Sequence, residues 1–586
     1  MFRVVISHPR QELGDYETLD ETTAVNLCIP LRELHFTRLE ALSDAAAAAL
    51  ATHVGGMFFP KLRTLSDRAA AELARSGAVL GLDGLTELSD EAAVALARLD
   101  GCLYLNGLAS LSNNAAEALG RHRSPLFFTN DLHLNGLAGL SDVAAEALAR
   151  HKGDLHLNGL QSLSDAAAAA LALHRDGLHL NGLAQLSDAA LAGLARMEAA
   201  LHLNGLTAIS DEAAKALADH KRQLSLNGLT ELSATVLETL ARHGSALSLD
   251  GLARLPEAAV QALALQRPVL SLGRLTKLST TEARALACCD RALYLNGVTE
   301  LSAEAAEALS WHKDRLYLDG LRDLTAEVAE ALSRLRRFLS INGLTQLTEA
   351  AAEALAKGGP MELNGLSELS AAAARALASH ADSLYLNGLT TLSDEAAEAL
   401  SGHHGGLSLD GLQTISSAAA AALVARQRNL YLPALKTLSI EAARALAGCK
   451  GSLNLGLTTL SDGAAEALAP CEGSLSLNFL TTLSDAAAEA LSRRQAETSL
   501  RRLHLLSETA MKALAGHGDQ IEGRISLIAA ARAELDRIRR FYERGVITST
   551  ERDNKVTDVQ AEAFLKITRL DVSPQIQAAV MKQFPW

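Results

Sequence analysis

A curved α/β solenoid, with its parallel sheet on the inner side and short helices outside, is the fold class this sequence predicts. Three observations lead there. The phrase LHLNGLAGLSDVAAEALARHKGD at Leu132 restarts at a spacing of 23 residues at Leu155, Leu178, Leu201 and onward to Leu339, and a fixed period in this range marks stacked units rather than separate cores. Every unit joins a stretch of alternating apolar residues to a stretch with helical spacing. Apolar residues make up 48% of the chain and aromatic ones only 3%, so the core is built from Leu and Ala, which suits thin layers of equal height.

Residues 1–33 lack the phrase and read as an N-terminal cap over the apolar edge of the first layer. Residues 34–518 hold 21 units. They begin at Leu34, Met57, Leu80 and Leu103, resume at Leu132 after a six-residue excess, and run through Met361, Leu384, Leu407, Leu430, Leu453 and Leu475 to a degenerate copy at Thr498.

Within a unit, L-x-L turns both leucines inward and the middle residue outward, as a short strand does. Asn-Gly follows, and Gly is expected to take the positive φ of a sharp turn. L-S-D then precedes A-A-E-A-L-A. Here Ser supplies an N-cap oxygen, Asp suits the positive end of the helix, and Ala and Leu favour helix. Arg150, His151, His220 and His243 close helices, where a cation suits the dipole. One strand and one helix per unit make the strands parallel. Strands about 4.8 Å apart and helices about 8–10 Å apart cannot share a straight column, so the stack curves, though small alanines keep the curve shallow.

Residues 519–586 differ in composition and read as a C-terminal helical hairpin. Ile528, Ala531, Leu535, Ile538 and Tyr542 form one apolar stripe, and Val556, Val559, Ala563, Ile567 and Leu570 form another. Gly545 ends the first helix, and Thr548 with Glu551 makes a capping box for the second.

The repeated phrase resembles the leucine-rich-repeat family, particularly its short alanine-rich bacterial type, from Leu34 to about His517. The family's common register places an Asn five residues after the first strand Leu. Here it falls at the third, at Asn135, Asn158, Asn181 and Asn204. Two readings stay open: a backbone-bonding ladder, or turn asparagines with solvated side chains. The segment FYERGVITSTERDNKVTDV resembles the rim-helix hairpin of the bacterial RNA polymerase β′ subunit at Gly545, Thr548, Glu551, Arg552, Asn554, Lys555, Val556 and Asp558. It is also similar to short oligomerisation hairpins at bacterial C-termini, which implies a homodimer contact.

The net charge of −14 argues against nucleic acid as a partner. No signal-peptide-like start and no 18-residue uncharged apolar stretch occur, so the expectation is a cytoplasmic chain with no membrane segment. The six cysteines lack zinc or disulfide spacing and read as reduced core thiols. Ser, His and Asp recur in identical roles in every unit, so no catalytic set can be singled out. The chain reads as a non-enzyme without a cofactor.

Function is expected where the repeat is free to vary, at the middle residue of L-x-L. That column contains Tyr104, His133, His156, His179, His202, Tyr294, Tyr317, Tyr385 and Tyr431, with serines between. Rigid rings on a rigid sheet lose little entropy on binding, so these nine are the candidate contacts for a protein partner. Repeat duplication that copied His without selection is the other reading. A metal site is set aside because a ladder lacks zinc's tetrahedral convergence and no carboxylate alternates with the rings. The resemblance also implies two alternatives: the substrate-recognition array of a bacterial effector or ubiquitin ligase, and a structural array without a fixed ligand. The ligase reading needs a cysteine in a helical C-terminal domain, and no Cys follows Cys471.

Overall fold

The computed structural model describes residues 10–13, 16–19, 24, 33–51, 53, 55–76, 79–122, 130–264, 269–426, 429–500 and 507–514. The hairpin expected at 519–586 lies outside them. The chain forms two compact units, Met1–Leu318 and Asp319–Trp586.

Among the described residues of the first unit, fourteen strands, from Arg10–Glu12 to Leu316–Tyr317, alternate with short helices. The strands pair in parallel, each repeat in register with the next: Leu132 faces Leu155 and His133 faces His156, and the next pairs are Leu155 with Leu178 and His156 with His179. The six-residue excess before Leu132 leaves the register intact, since Leu103 opposes Leu132 and Tyr104 opposes His133. Ahead of the repeats, Arg10–Glu12 adds a further parallel strand against Glu33–His35. The core is a stack of identical layers in which Leu132, Leu134, Leu137, Ala145 and Leu148 are buried, as are their equivalents in later repeats.

Each helix is about two turns long and starts where the sequence places it. In Asp142–Leu148, the Ser141 side chain accepts the Ala144 N–H at 3.1 Å. The same hydroxyl donates to the residue that opens the preceding helix. Ser210 lies 2.6 Å from Asp188 and Ser141 lies 2.6 Å from Asn113, and Ser164 bonds Asp142 in the same way. The Asp of L-S-D therefore serves its own helix dipole and the next repeat's cap.

Of the two readings left open for the asparagines, the structure selects the ladder. Asn135 Oδ1 accepts the Asn158 N–H at 3.0 Å, Asn158 accepts from Asn181 at 3.0 Å, and Asn181 from Asn204 at 3.0 Å. The series begins at Asp83 and ends at Asp250, which accepts the Gly273 N–H. Gly273 has no side chain to continue it. Each bond satisfies a backbone donor just past the strand that the sheet ladder cannot reach.

Two expectations about local chemistry are corrected. Among the described glycines only Gly153 has positive φ, so the Gly of Asn-Gly is not needed for a left-handed turn. A Cβ on Gly159 or Gly182 would overlap the backbone carbonyl of Asn135 or Asn158 in the preceding layer. Glycine is there because the layers approach too closely for any side chain.

The second correction concerns His151, His220 and His243. They are buried rather than capping helix dipoles as cations. Together with His122 and His174 they occupy an interior slot after the helix and bond carbonyls of the preceding layer, such as His122 Nε2 to Leu99 O at 2.9 Å and His151 Nε2 to Asn130 O at 2.8 Å. A carbonyl only accepts, so Nε2 carries the proton, and Nδ1 of both rings is buried without a partner. Cys289, Cys449 and Cys471 fill the same slot, and burial pushes the Cys289 thiol up to about 12. Its neighbour Cys288 is exposed.

Burial lowers His122 to about 4, and burial together with the neighbouring His122 lowers His151 to about 3. An unfolded His titrates near 6.5, so between these values the unfolded chain binds more protons than the folded one. Stability is then complete above about pH 6.5 and falls as pH drops toward the folded values, by up to about 1.4 kcal/mol per pH unit for each ring. The urea midpoint should fall measurably between pH 6.5 and 5, above the usual carboxylate range. A flat profile there would mean that these rings protonate inside the fold.

The second unit repeats the plan in two groups of parallel strands. Leu339–Ser340 to Leu407–Ser408 form one group and Leu430–Leu432 to Thr498–Ser499 the other. The asparagine ladder is present here too: Asp319 accepts from Asn342 at 2.9 Å, and the series runs to Asp410. The next position is Pro433, which has no N–H to give and no side-chain acceptor. At the last repeats Arg494 takes the interior slot. It donates to Thr498 Oγ1 at 3.0 Å, Leu468 O at 3.0 Å and Gly473 O at 2.6 Å.

Candidate partner-binding face

Parallel pairing in register carries the middle residue of every L-x-L onto one line on the sheet face that points away from the helices. In the first unit this line is a stack of rings. Tyr104 lies 4.0 Å from His133, His133 3.9 Å from His156, His156 4.1 Å from His179, and His179 4.2 Å from His202, measured between ring centroids with planes 1–11° apart. A second stack joins Tyr294 to Tyr317 at 4.2 Å. The rings cover each other's faces and turn their edges outward, so they are half-buried.

The stack also extends upstream of the predicted column. His35 lies 4.4 Å from Phe58, and Phe58 reaches Tyr104 at 6.1 Å across Gly81. The Phe58 ring occupies the space that a Cβ on Gly81 would need. Both residues hold the middle position of Leu34-His35-Phe36 and Met57-Phe58-Phe59, so the register in the sequence already marked them.

The serines of the column behave differently. Ser248 Oγ lies 2.7 Å from Asn227 Oδ1, and Ser271 Oγ lies 2.6 Å from Asp250 Oδ1. Their hydroxyls are drawn into the ladder of the preceding layer. In the second unit Ser340 and Ser408 do the same with Asp319 and Asn387. Tyr385 there is half-buried and Tyr431 is exposed.

Carboxylates do lie beside the histidines, contrary to the expectation that none is interleaved. Asp131 and Asp154 stand two residues before His133 and His156, and a strand's period of two places them on the same face. The donor atoms of Asp131, His133 and His156 lie within 4.8 Å of one another, as do those of Asp154, His156 and His179. The D-x-H spacing was legible, but reading only the middle position of each strand passed over it.

Electrostatics favour the uncharged forms of four of these rings. Burial, reinforced by repulsion from His156 and His202, lowers His179 to about 3 against the pull of Asp154. His202 is also lowered by burial. Burial raises Tyr104 and Tyr294, with acidic neighbours adding to the first and Tyr317 to the second. At neutral pH these are neutral rings.

No family model matches the chain, and no curated protein matches it. Among solved structures it is similar to an internalin from Listeria monocytogenes at 18% identity, covering 53% of this chain and 77% of that one, with a TM-score of 0.27. It is similar to an LRR protein from Leptospira interrogans at 17% identity, covering 78% and 99%, with a TM-score of 0.24. A chain of the Drosophila Toll–Spätzle complex is 12% identical over 82% of each chain, with a TM-score of 0.33. The chain's own geometry, with one parallel strand and one helix per repeat, leucines turned inward and an asparagine ladder running past the strands of successive repeats, is the leucine-rich-repeat fold.

Proposed function

We propose that the chain is a non-catalytic recognition scaffold that holds a protein partner on the open face of its sheet, with the ring column from Tyr104 to His202 as the principal contact. The observation that carries this reading is the stack itself. Adjacent rings, already fixed by their neighbours, offer amphipathic edges at little entropic cost. Tyr294, Tyr317, Tyr385 and Tyr431 are secondary contacts of the same kind. A cytoplasmic location and a bacterial source fit this reading. The C-terminal segment at 519–586 is its candidate dimer contact.

The experiment compares affinity capture by the parent with capture by a variant carrying His133→Ser, His156→Ser, His179→Ser and His202→Ser. Ser is already tolerated in this column at Ser225 and Ser248. A partner bound by the parent should lose at least about tenfold in affinity, or about 1.4 kcal/mol. Equal affinity for the two proteins would remove the histidine column from the interface and leave the tyrosines or the C-terminal segment.

A further inference from the structure

We propose that His156, together with Asp131 and His133 on one side or Asp154 and His179 on the other, holds one divalent transition-metal ion of the zinc or cobalt type. The proposal concerns the same strand face as the protein-binding reading but does not rest on it.

The sheet builds the two groups from a single spacing. Period two puts Asp131 and His133 on one face of their strand, and the parallel register sets Asp154 and His156 beside them. Each group offers two imidazoles and one carboxylate, with donor atoms within 4.8 Å of one another. Two donors each about 2.0–2.2 Å from one ion are at most about 4.4 Å apart. Rotation of the ring torsions, which tilts the two imidazoles out of their parallel stack, would bring three donors onto one ion without moving the strands.

The carboxylates are held in place for this. Asp131 Oδ1 accepts the Asp154 N–H at 3.2 Å, and Asp154 Oδ1 accepts the Gly177 N–H at 3.0 Å. Such outer bonds orient a ligand before the ion arrives. Gly177 also makes room, since a Cβ there would stand 2.8 Å from Asp154 Oδ1. Mixed nitrogen and oxygen donors select zinc, cobalt or nickel over calcium and magnesium, which take oxygen.

Neighbouring positions do not repeat the arrangement. Two residues before His202 stands Ala200, and His35 has Glu33 beside it but Phe58 where a second imidazole would be needed. His156 belongs to both groups, so filling one takes it from the other and the two groups together hold one ion.

Cobalt(II) chloride titrated into the untagged full chain at pH 7.5, followed by visible absorption and calorimetry, is the test. The parent should take up one equivalent with ligand-field bands, and zinc should displace it. His156→Ser should lose at least tenfold in affinity, while His202→Ser, which removes a ring stacked on His179 but no donor atom of either group, should bind as the parent does. Asp131→Asn and Asp154→Asn should each weaken binding less than the two combined, which should cost at least tenfold. Far-UV circular dichroism checks that each variant is folded. Absence of the bands in the parent, or equal uptake by the parent and either His156→Ser or the double Asn variant, would overturn the proposal.

Discussion

Leu203→Ala is expected to lower stability by about 2–5 kcal/mol. Leu203 is fully buried, and its N–H bonds Ser225 O at 2.8 Å, so the backbone is pinned on both sides of the lost side chain. The equivalent Leu180 and Leu226 are equally buried and fixed in the same way, so the layer has little freedom to collapse into the gap. His202→Ala, one residue away on the opposite face, should cost about 1 kcal/mol, because it removes one ring from the end of a stack. Urea unfolding of the two variants separates them. Losses of similar size would mean that the strand faces are assigned the wrong way round.

Gly182→Ala should be costly for a different reason. Its φ is not positive, so alanine could adopt the backbone conformation. The cost comes from its Cβ, which would overlap the Asn158 carbonyl and force two layers apart. Since that obstacle is backbone, the penalty should reach or exceed the roughly 1–3 kcal/mol typical of overpacking. Gly139→Ala is the matched comparison, because a Cβ there meets nothing within 4 Å. It should be neutral or stabilising by up to about 1 kcal/mol through the unfolded chain's lost freedom. If the two substitutions cost the same, close approach is not what places glycine after asparagine.

These variants probe different levels of what could be read from the sequence. The inward leucines follow from the period of two, and the Ser caps follow from L-S-D before an alanine run. Both are local patterns whose physics is complete within one repeat. The ring column was legible for the same reason, since a residue's face on a strand is set by its position. His35, Phe58, Asp131 and Asp154 obey the same rule: the first two hold the middle position of earlier strands and the last two stand two residues ahead of it on the same face.

The sequence by itself determined the repeat length, the strand and helix within each repeat, the parallel pairing and the residues sharing the open face, because those depend on periodicity and on what one repeat must do with its apolar side. Tertiary structure alone decided what happens between repeats. Asn135 became a backbone acceptor because the next layer brings the Asn158 N–H to 3.0 Å. Gly159 was required because that layer's neighbour leaves no room for a Cβ. His122 and His151 turned inward because a carbonyl of the preceding layer stood within 2.9 Å to receive each ring's proton. Each of these contacts joins residues more than 20 positions apart, and its strength depends on tenths of an ångström in the stacking distance, which no pattern within one repeat encodes.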